Sequence, residues 1–503
     1  MKAPLTLNIA AISCILIFCI QALLAVPRLS ATSDEPLHLA AGYSYWQTRD
    51  FRMNPEHPPL AKLLAALPLL ALHPRFNTSD ASWKNGIEDA FAFRFLYGNE
   101  ADRLLFWSRA VMVLIAALGA AVTFLWARDL FGAPAGIFAA ALYAFCPNLL
   151  AHGMLVTTDA PLAAFTVLTL YLFWKRSEHP SWQSDFVTGL ALGAAMASKF
   201  SGGLLPIVLI GFCLARKQVK SLFIMAAASL LVIEAAYLFS ASPLLYFHNM
   251  RLVNANHDKG YPFYLFGQVK QGGWWYYFMA AFALKVTAPV IFLIAFAVIG
   301  ATRGFINRWG EMILLGTIGA YVIVVSAAAD QVGVRYLLPI FPLVYIWVSR
   351  IVPDFLTARS GAVMLAGLIV WHAWSGISAF PNYIPYFNEL VGGPVSGTAF
   401  LDDSNVDWGQ GLKEAAEYVR QRHIENVNLY AFDPFDGPAP EYYGLPGNIS
   451  HRQIAERLLL HRPAPGTYII SAHYVVRMRQ VSPAWKIYKP ADRIGESLWV
   501  YAF

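Results

Sequence analysis

The sequence predicts a polytopic α-helical membrane protein of about 11 transmembrane helices, followed by a small C-terminal soluble α/β domain. Three observations predict this. Of 503 residues, 57% are hydrophobic and only 14% charged, where soluble domains carry about 25% charged residues. Apolar runs approaching the roughly 20 residues needed to cross a bilayer recur along residues 1–380. Lys and Arg fall in every second connection between those runs, as the positive-inside rule expects.

Eleven runs qualify: 5–27, 104–127, 131–150, 161–175, 185–198, 202–215, 221–241, 283–301, 311–328, 336–350 and 361–380. The first could pass for a signal peptide. Its apolar stretch is too long for one, and it reads as an uncleaved helix with Lys2 inside. From that start, the cytoplasmic connections hold Arg128, then Lys175 and Arg176, then Arg216, Lys217 and Lys220, then Arg303 and Arg308, then Arg350 and Arg359. An odd number of spans leaves the C-terminal segment outside.

Three segments are therefore external. Loop 28–103 holds two amphipathic stretches, 36–48 and 58–72, expected to lie along the membrane interface. Loop 242–282 holds His257, Lys270 and an aromatic cluster, Trp274 to Phe278, expected to be an interfacial belt. The tail, 381–503, shows helix-like runs at 409–422 and 450–461, with strand-like runs at 426–432, 467–474, 485–489 and 497–503. The organisation is thus a membrane region, 1–380, and an extracytoplasmic α/β domain, 381–503.

Composition narrows the function classes. Cys14, Cys19, Cys146 and Cys213 all lie in apolar runs, so no disulfide framework is implied, and no zinc-type Cys/His spacing exists. The net charge of +6 is explained by cytoplasmic anchors together with an anionic ligand. No basic run resembles a nucleic-acid arm.

The chemistry concentrates where an acid precedes a proline at the foot of a helix: Asp34-Glu35-Pro36, Glu56-His57-Pro58 and Asp159-Ala160-Pro161. Proline suits a first helical turn, so each motif marks a helix start with a carboxylate at its mouth. The topology puts all three on one membrane face. Helix capping is one explanation. A site is the other, with Asp34 or Glu35 as a general base for an acceptor hydroxyl and Asp159 as a substrate-orienting acid. Glu56 and His57 start a helix whose dipole favours anions, so a phosphate beside His57 or a cation at Glu56 is expected there. Lys199 and Arg335 lie on the same external side, against the positive-inside rule. Either their side chains snorkel or they answer an anionic ligand; for Arg335 an ion pair with the nearby Asp330 is a further reading. In the tail, Asp402, Asp403 and Asp407 form an acidic knot with Asn405 and Trp408. It suggests sugar or cation binding, or simply a loop capping the next helix.

In this order, these motifs resemble the glycosyltransferase C superfamily, in the bacterial branch related to protein O-mannosyltransferases and the lipid A aminoarabinose transferase. The resemblance covers residues 1–380 and includes Arg335-Tyr336-Leu337-Leu338-Pro339; Asp403-Ser404-Asn405-Val406-Asp407-Trp408 in the tail is similar to segments of bacterial members. It implies a polyprenyl-phosphate sugar donor used on the extracytoplasmic face of a bacterial inner membrane, with inversion. It also implies an acceptor protein, lipid or glycan. Asp34 then matches the presumed catalytic acid, with Glu35 beside it and Asp159 supporting. His57, Lys199, Arg335 and Lys270 are the expected donor-phosphate ligands. His57 stands where the aminoarabinose transferase has Lys. One divalent metal ion, held by Glu56 and His257, is a further expectation. The competing class is a lipid or glycolipid transporter or flippase, which would move the lipid without cleaving it.

Overall fold

The structure, a computed structural model, describes residues 5–240, 245–256, 260–432, 437–449, 451–460 and 462–503. It is mostly helical. Among the described residues, five helices are long and apolar enough to cross a membrane: Asn8–Arg28, Ala101–Phe131, Val219–Ala236, Arg308–Ala328 and Arg359–Ser378. Two bent pairs raise the number to seven if each is one span: Ala133–Ala144 with Pro147–Gly153, bent by 63°, and Tyr277–Lys285 with Ala288–Ala301, bent by 113°. The other expected runs form the helices Asp159–Arg176, Trp182–Ser198, Leu204–Ala215 and Ile340–Val348. The first carries three charged residues in its 18, and the others have 17, 12 and 9 residues. Such helices are too short or too charged to be recognised by length and composition alone.

The long helices are apolar on their outsides. Ile20, Phe223, Ile323 and Val370 all project from them, 55–73% exposed, as lipid-facing side chains would. Inside, Trp126, Tyr143 and Tyr345 are buried in one continuous apolar core. Two of the expected cytoplasmic anchors are buried and paired instead of free. Arg176 meets Asp185, and Arg350 meets Glu311 at 3.2 Å. Pairing is what makes a buried charge tolerable.

The stretches 36–48 and 58–72 are helical, as Asp34–Thr48 and Leu60–Leu72. Asp34–Thr48 does not lie flat on an interface, however. Leu39, Ala40, Ala41, Tyr43, Ser44 and Tyr45 are all buried, so it is enclosed on nearly every side. Gly42 permits this packing: a Cβ there would sit 2.1 Å from the Lys62 carbonyl oxygen. The helices Ala81–Asn85 and Glu88–Tyr97 complete the loop. In the second loop, strands β1 (Pro262–Leu265) and β2 (Gln268–Gln271) form an antiparallel hairpin. The aromatic cluster that follows is a belt only in part, because Trp275 is 73% exposed while Tyr277 and Phe278 are fully buried.

The tail builds a four-stranded sheet from β3 (Val427–Tyr430), β4 (Thr467–Ser471), β5 (Asp492–Ile494) and β6 (Leu498–Ala502), in the order β3-β4-β6-β5. Only β3 and β4 are parallel. Two expected strands are corrected. The run 467–474 ends as strand at Ser471, and Ala472–Val481 is a helix burying Ala472, Val475, Val476 and Met478 on one face. The run 485–489 lies at the end of a short helix, Pro483–Ile487, which its first-turn proline favours. The tail is sewn onto the membrane region by main-chain hydrogen bonds. Ser33 N–H donates to the Trp408 carbonyl at 3.0 Å, Ser30 N–H to Gln410 at 3.1 Å, and Asn388 N–H to Leu284 at 3.0 Å.

Candidate active site

Capping does not occupy the acids at two of the helix starts. Ser33 and Thr158 are the N-cap residues, and neither side chain makes a capping hydrogen bond. Asp34 Oδ2 instead accepts from Arg335 Nη1 at 3.0 Å. The same Nη1 lies 3.8 Å from Asp159 Oδ2, and Asp159 Oδ1 accepts from Lys199 Nζ at 2.5 Å. Asp34, Arg335, Asp159 and Lys199 thus form one line of alternating charge, drawn from four elements far apart in sequence. Its interior is incompletely satisfied: Arg335 Nε and Asp159 Oδ2 are buried without a hydrogen-bond partner. Rings hold the cations in place. Arg335 lies over Trp408 at 4.1 Å and Lys199 over Tyr336 at 4.6 Å, contacts in which a ring face attracts a cation.

Asp34 and Arg335 open onto a cavity of about 320 Å³, lined also by Ser33, Tyr261, Asp330, Val332, Tyr336, Asp403, Trp408 and Phe432. A volume of this size suits a small polar ligand. A larger cavity of about 510 Å³, between Arg28, Asp102, Lys413 and Arg420, contains none of the motif residues.

Glu35 plays a different part from its neighbour. It is fully buried, and its carboxylate accepts from Arg109 Nε at 2.8 Å and Nη2 at 2.6 Å. It also accepts the N–H groups of Val156 and Thr32. Burial alone would raise its pKa. The Arg109 charge and these hydrogen bonds outweigh burial and hold it below the usual carboxylate range. Glu35 does not line the cavity. It ties loop 28–36 to the long helix Ala101–Phe131 and to the turn before Asp159.

His57 lies at the edge of the charge line. Its ring centroid is 5.8 Å from that of His38, whose Nδ1 donates to the Val156 carbonyl at 2.9 Å. Burial, then the charges of Lys199, His38, Lys62 and Arg335, push His57 well below the usual imidazole range. It is therefore neutral at neutral pH, with Nδ1 unpartnered. Its carbonyl accepts from the buried Lys62 ammonium at 2.8 Å, which also holds the Asn54 carbonyl.

Two of the remaining expected residues, Glu56 and Lys270, do not line the cavity. Glu56 is exposed. Lys270, on β2, is exposed and sits 5.9 Å from the Trp274 ring. His257 lies outside the described residues. Among the described residues, no group of three or more His, Cys, Asp or Glu is arranged to hold a metal ion. The residues that sequence reasoning undervalued come from the tail and the second loop: Asp403, Trp408, Phe432 and Tyr261. The acidic knot 402–407 was visible, but its position beside Asp34 depends on tertiary contacts.

Residues 99–247 match the family described as dolichyl-phosphate-mannose-protein mannosyltransferase. That segment contains Asp159 and Lys199, and it excludes Asp34 and Arg335. The crystal structure of ArnT from Cupriavidus metallidurans, bound to undecaprenyl phosphate, superimposes with a TM-score of 0.51 at 13% identity, over 98% of this chain and 97% of that one. At 13% identity this likeness shows a shared fold. The Archaeoglobus fulgidus oligosaccharyltransferase aligns with a TM-score of 0.48 and 13% identity, over 95% of this chain and 72% of that one. The Saccharomyces cerevisiae Pmt1-Pmt2 complex, bound to its sugar donor, aligns with a TM-score of 0.34 and 20% identity, over 50% and 35%. No curated protein matches the sequence. Its five long apolar helices, or seven spans with the two bent pairs, are read by their length and composition as membrane spans.

Proposed function

We propose that this protein transfers a sugar from a polyprenyl-phosphate donor to an acceptor hydroxyl, by inverting single displacement with Asp34 as general base. One observation carries the reading: Asp34 faces a cavity whose wall also presents Arg335, the guanidinium that reaches toward Asp159 and Lys199. In the reaction, Asp34 takes the proton of the acceptor hydroxyl. The acceptor oxygen bonds to the anomeric carbon as the bond from that carbon to the phosphate oxygen breaks. The electron pair leaves on the phosphate, where Arg335 and Lys199 stabilise the developing charge.

The four charges of the line sum to zero before any donor binds. An incoming phosphate therefore competes with Asp34 and Asp159 for the two cations. Arg335 is suited to this exchange, because a guanidinium has five N–H donors and its Nε is unused. Neutral His57 contributes a hydrogen bond to the phosphate and no charge. Glu35 acts as a structural anchor. A divalent ion at Glu56 and His257 belongs to the same proposal. Chelation followed by readdition of metal tests it: unchanged transfer after chelation would remove the ion from the mechanism.

The chemistry is assigned to the outer face of a bacterial inner membrane, with eleven crossings and the 381–503 domain outside. Purified full-length protein with a sugar-labelled polyprenyl phosphate tests the function. Label should pass to acceptor, and Asp34→Asn should abolish the passage. Movement of intact lipid across a vesicle without cleavage would instead identify a transporter.

A further inference from the structure

The polar cavity of about 510 Å³ has an apolar neighbour. A cavity of about 270 Å³ lies between Ile17, Gln21 and Leu24 of the first membrane helix, Asn8–Arg28, and Ile377, Phe380 and Tyr383. The two cavities meet at one contact. Arg28 lines the polar cavity and Phe380 the apolar one, and the Arg28 guanidinium lies over the Phe380 ring at 5.1 Å. Ile17, Gln21, Leu24 and Arg28 follow helical spacing, so they form one stripe running from the apolar cavity into the polar one. Ile17, Leu24 and Ile377 are 37–58% exposed, which opens the apolar cavity toward the bilayer.

The charges of the polar cavity are balanced, with three cations and three carboxylates in its lining. Most have partners. Lys413 Nζ is held by Asp102 at 2.9 Å and by the Pro27 carbonyl at 3.0 Å. Arg420 meets Glu417 at 2.6 Å, and Glu414 accepts from Asn382 Nδ2 at 2.9 Å. Arg28 makes no ion pair among the described residues; its contact is the Phe380 ring. Attraction for an anion is therefore local to Arg28, at the border of the two cavities. Tyr383 adds a second unmet group. It is 1% exposed, it lines the apolar cavity, and its hydroxyl is buried without a hydrogen-bond partner. A buried hydroxyl of this kind calls for an acceptor.

An apolar slot open to lipid, then a hydroxyl donor, then an unpaired guanidinium match the order of groups in a diacyl phospholipid: chain, ester carbonyl, phosphate diester. We propose that the two cavities form one phospholipid site. The phosphate lies on Arg28, an ester carbonyl accepts from Tyr383, and an acyl chain lies between the first helix and Arg359–Ser378. No residue lines both this site and the Asp34 cavity, so the occupant is distinct from the sugar donor. Lys413, Glu414 and Arg420 belong to the tail helix Leu412–Gln421. The lipid headgroup thus fastens the tail to the end of the first membrane helix.

Native mass spectrometry of delipidated full-length protein tests this with two lipids. Dioleoyl phosphatidylethanolamine is one; dioleoylglycerol, which has the chains and esters without the phosphate, is the other. One phospholipid should bind saturably, about tenfold more tightly than dioleoylglycerol, the scale of one hydrogen bond to a charged group. It should also raise the melting midpoint. Arg28→Gln should weaken the phospholipid about tenfold, leave dioleoylglycerol unchanged and abolish the rise in melting midpoint. Tyr383→Phe should weaken both lipids about threefold, the scale of one neutral hydrogen bond. Leu24→Trp, which fills the apolar cavity from an exposed position, should weaken both and serves as the test if Arg28→Gln fails to fold. Equal binding of the two lipids by wild type, or phospholipid binding that does not saturate, identifies bulk lipid only and overturns the inference. So does unchanged phospholipid binding in a folded Arg28→Gln or Leu24→Trp protein. Folded Arg335→Ala should bind the phospholipid as wild type does; loss there would place the lipid in the Asp34 cavity and overturn the separate site.

Discussion

Asp34 and Glu35 are adjacent acids with opposite duties, and substitution should separate them. Asp34 is 27% exposed and touches a cavity, while Glu35 is sealed against Arg109. Asp34→Asn keeps an acceptor for Arg335 but removes the proposed base. Transfer should fall by about a hundredfold or more, with the melting midpoint nearly unchanged. Glu35→Ala strands a buried guanidinium and should cost about 3–5 kcal/mol of stability, read as a lowered melting midpoint or loss of folded protein. The reverse pattern would exchange the two roles. Asp407 adds a pH signature. Burial pushes its carboxyl up to about 6, against the lowering effect of hydrogen bonds from the Ser471 hydroxyl and the Gly409 N–H. An acid with a raised folded pKa binds its proton more tightly when folded. Its stabilising effect is therefore complete below about pH 4 and is lost as pH rises through about 6, amounting to roughly 3 kcal/mol. Asp407→Asn should remove that component of the fall in melting temperature between pH 4 and 7.

At the scale of elements, the turn that presents Arg335 is held from the tail. Asn405 is fully buried, and its Oδ1 accepts the Val334 N–H at 2.9 Å. Its Nδ2 donates to the Tyr277 hydroxyl and the Asp402 carbonyl, both at 3.0 Å. Its own carbonyl accepts from the buried Lys285 ammonium at 2.7 Å. Asn405 thus joins the break between Tyr277–Lys285 and Ala288–Ala301 to the Arg335 turn. Asn405→Ala should leave the Val334 N–H unpaired and weaken undecaprenyl-phosphate binding by about tenfold, the scale of one unmet buried polar group. Normal affinity in a folded Asn405→Ala protein would remove its positioning role. Much at this scale was legible beforehand. Pro36 and Pro58-Pro59 marked the starts of helices Asp34–Thr48 and Leu60–Leu72, because proline imposes its φ whatever the tertiary context. The helix Ala472–Val481 was not legible. Its Val475 and Val476 favour strand locally, and only packing of the Ala472, Val475 and Met478 face against the core overrides that preference.

For the whole molecule, the 380/381 boundary divides composition but not structure. Tail and membrane region share hydrogen bonds, the Arg335–Trp408 stack and the walls of the cavity. A chain ending at residue 380 should therefore fail to bind undecaprenyl phosphate even where it inserts in the membrane. Retained binding by an inserted, folded fragment would show the tail to be dispensable for the donor.

The sequence by itself determined the class of this protein. Hydropathy and the placement of Lys and Arg are local quantities, and a bilayer responds to them segment by segment. The acid-proline motifs likewise marked Asp34 and Asp159 without reference to anything distant. Tertiary structure decided which charges meet. Residues 34, 159, 199 and 335 form one line because their helix ends converge. Glu35 became an anchor because Arg109 reaches it, and Asp403 became part of the cavity because the tail folds back over the membrane helices. Those outcomes depend on contacts between segments 40, 74 and 301 residues apart, which leave no mark in local composition or spacing.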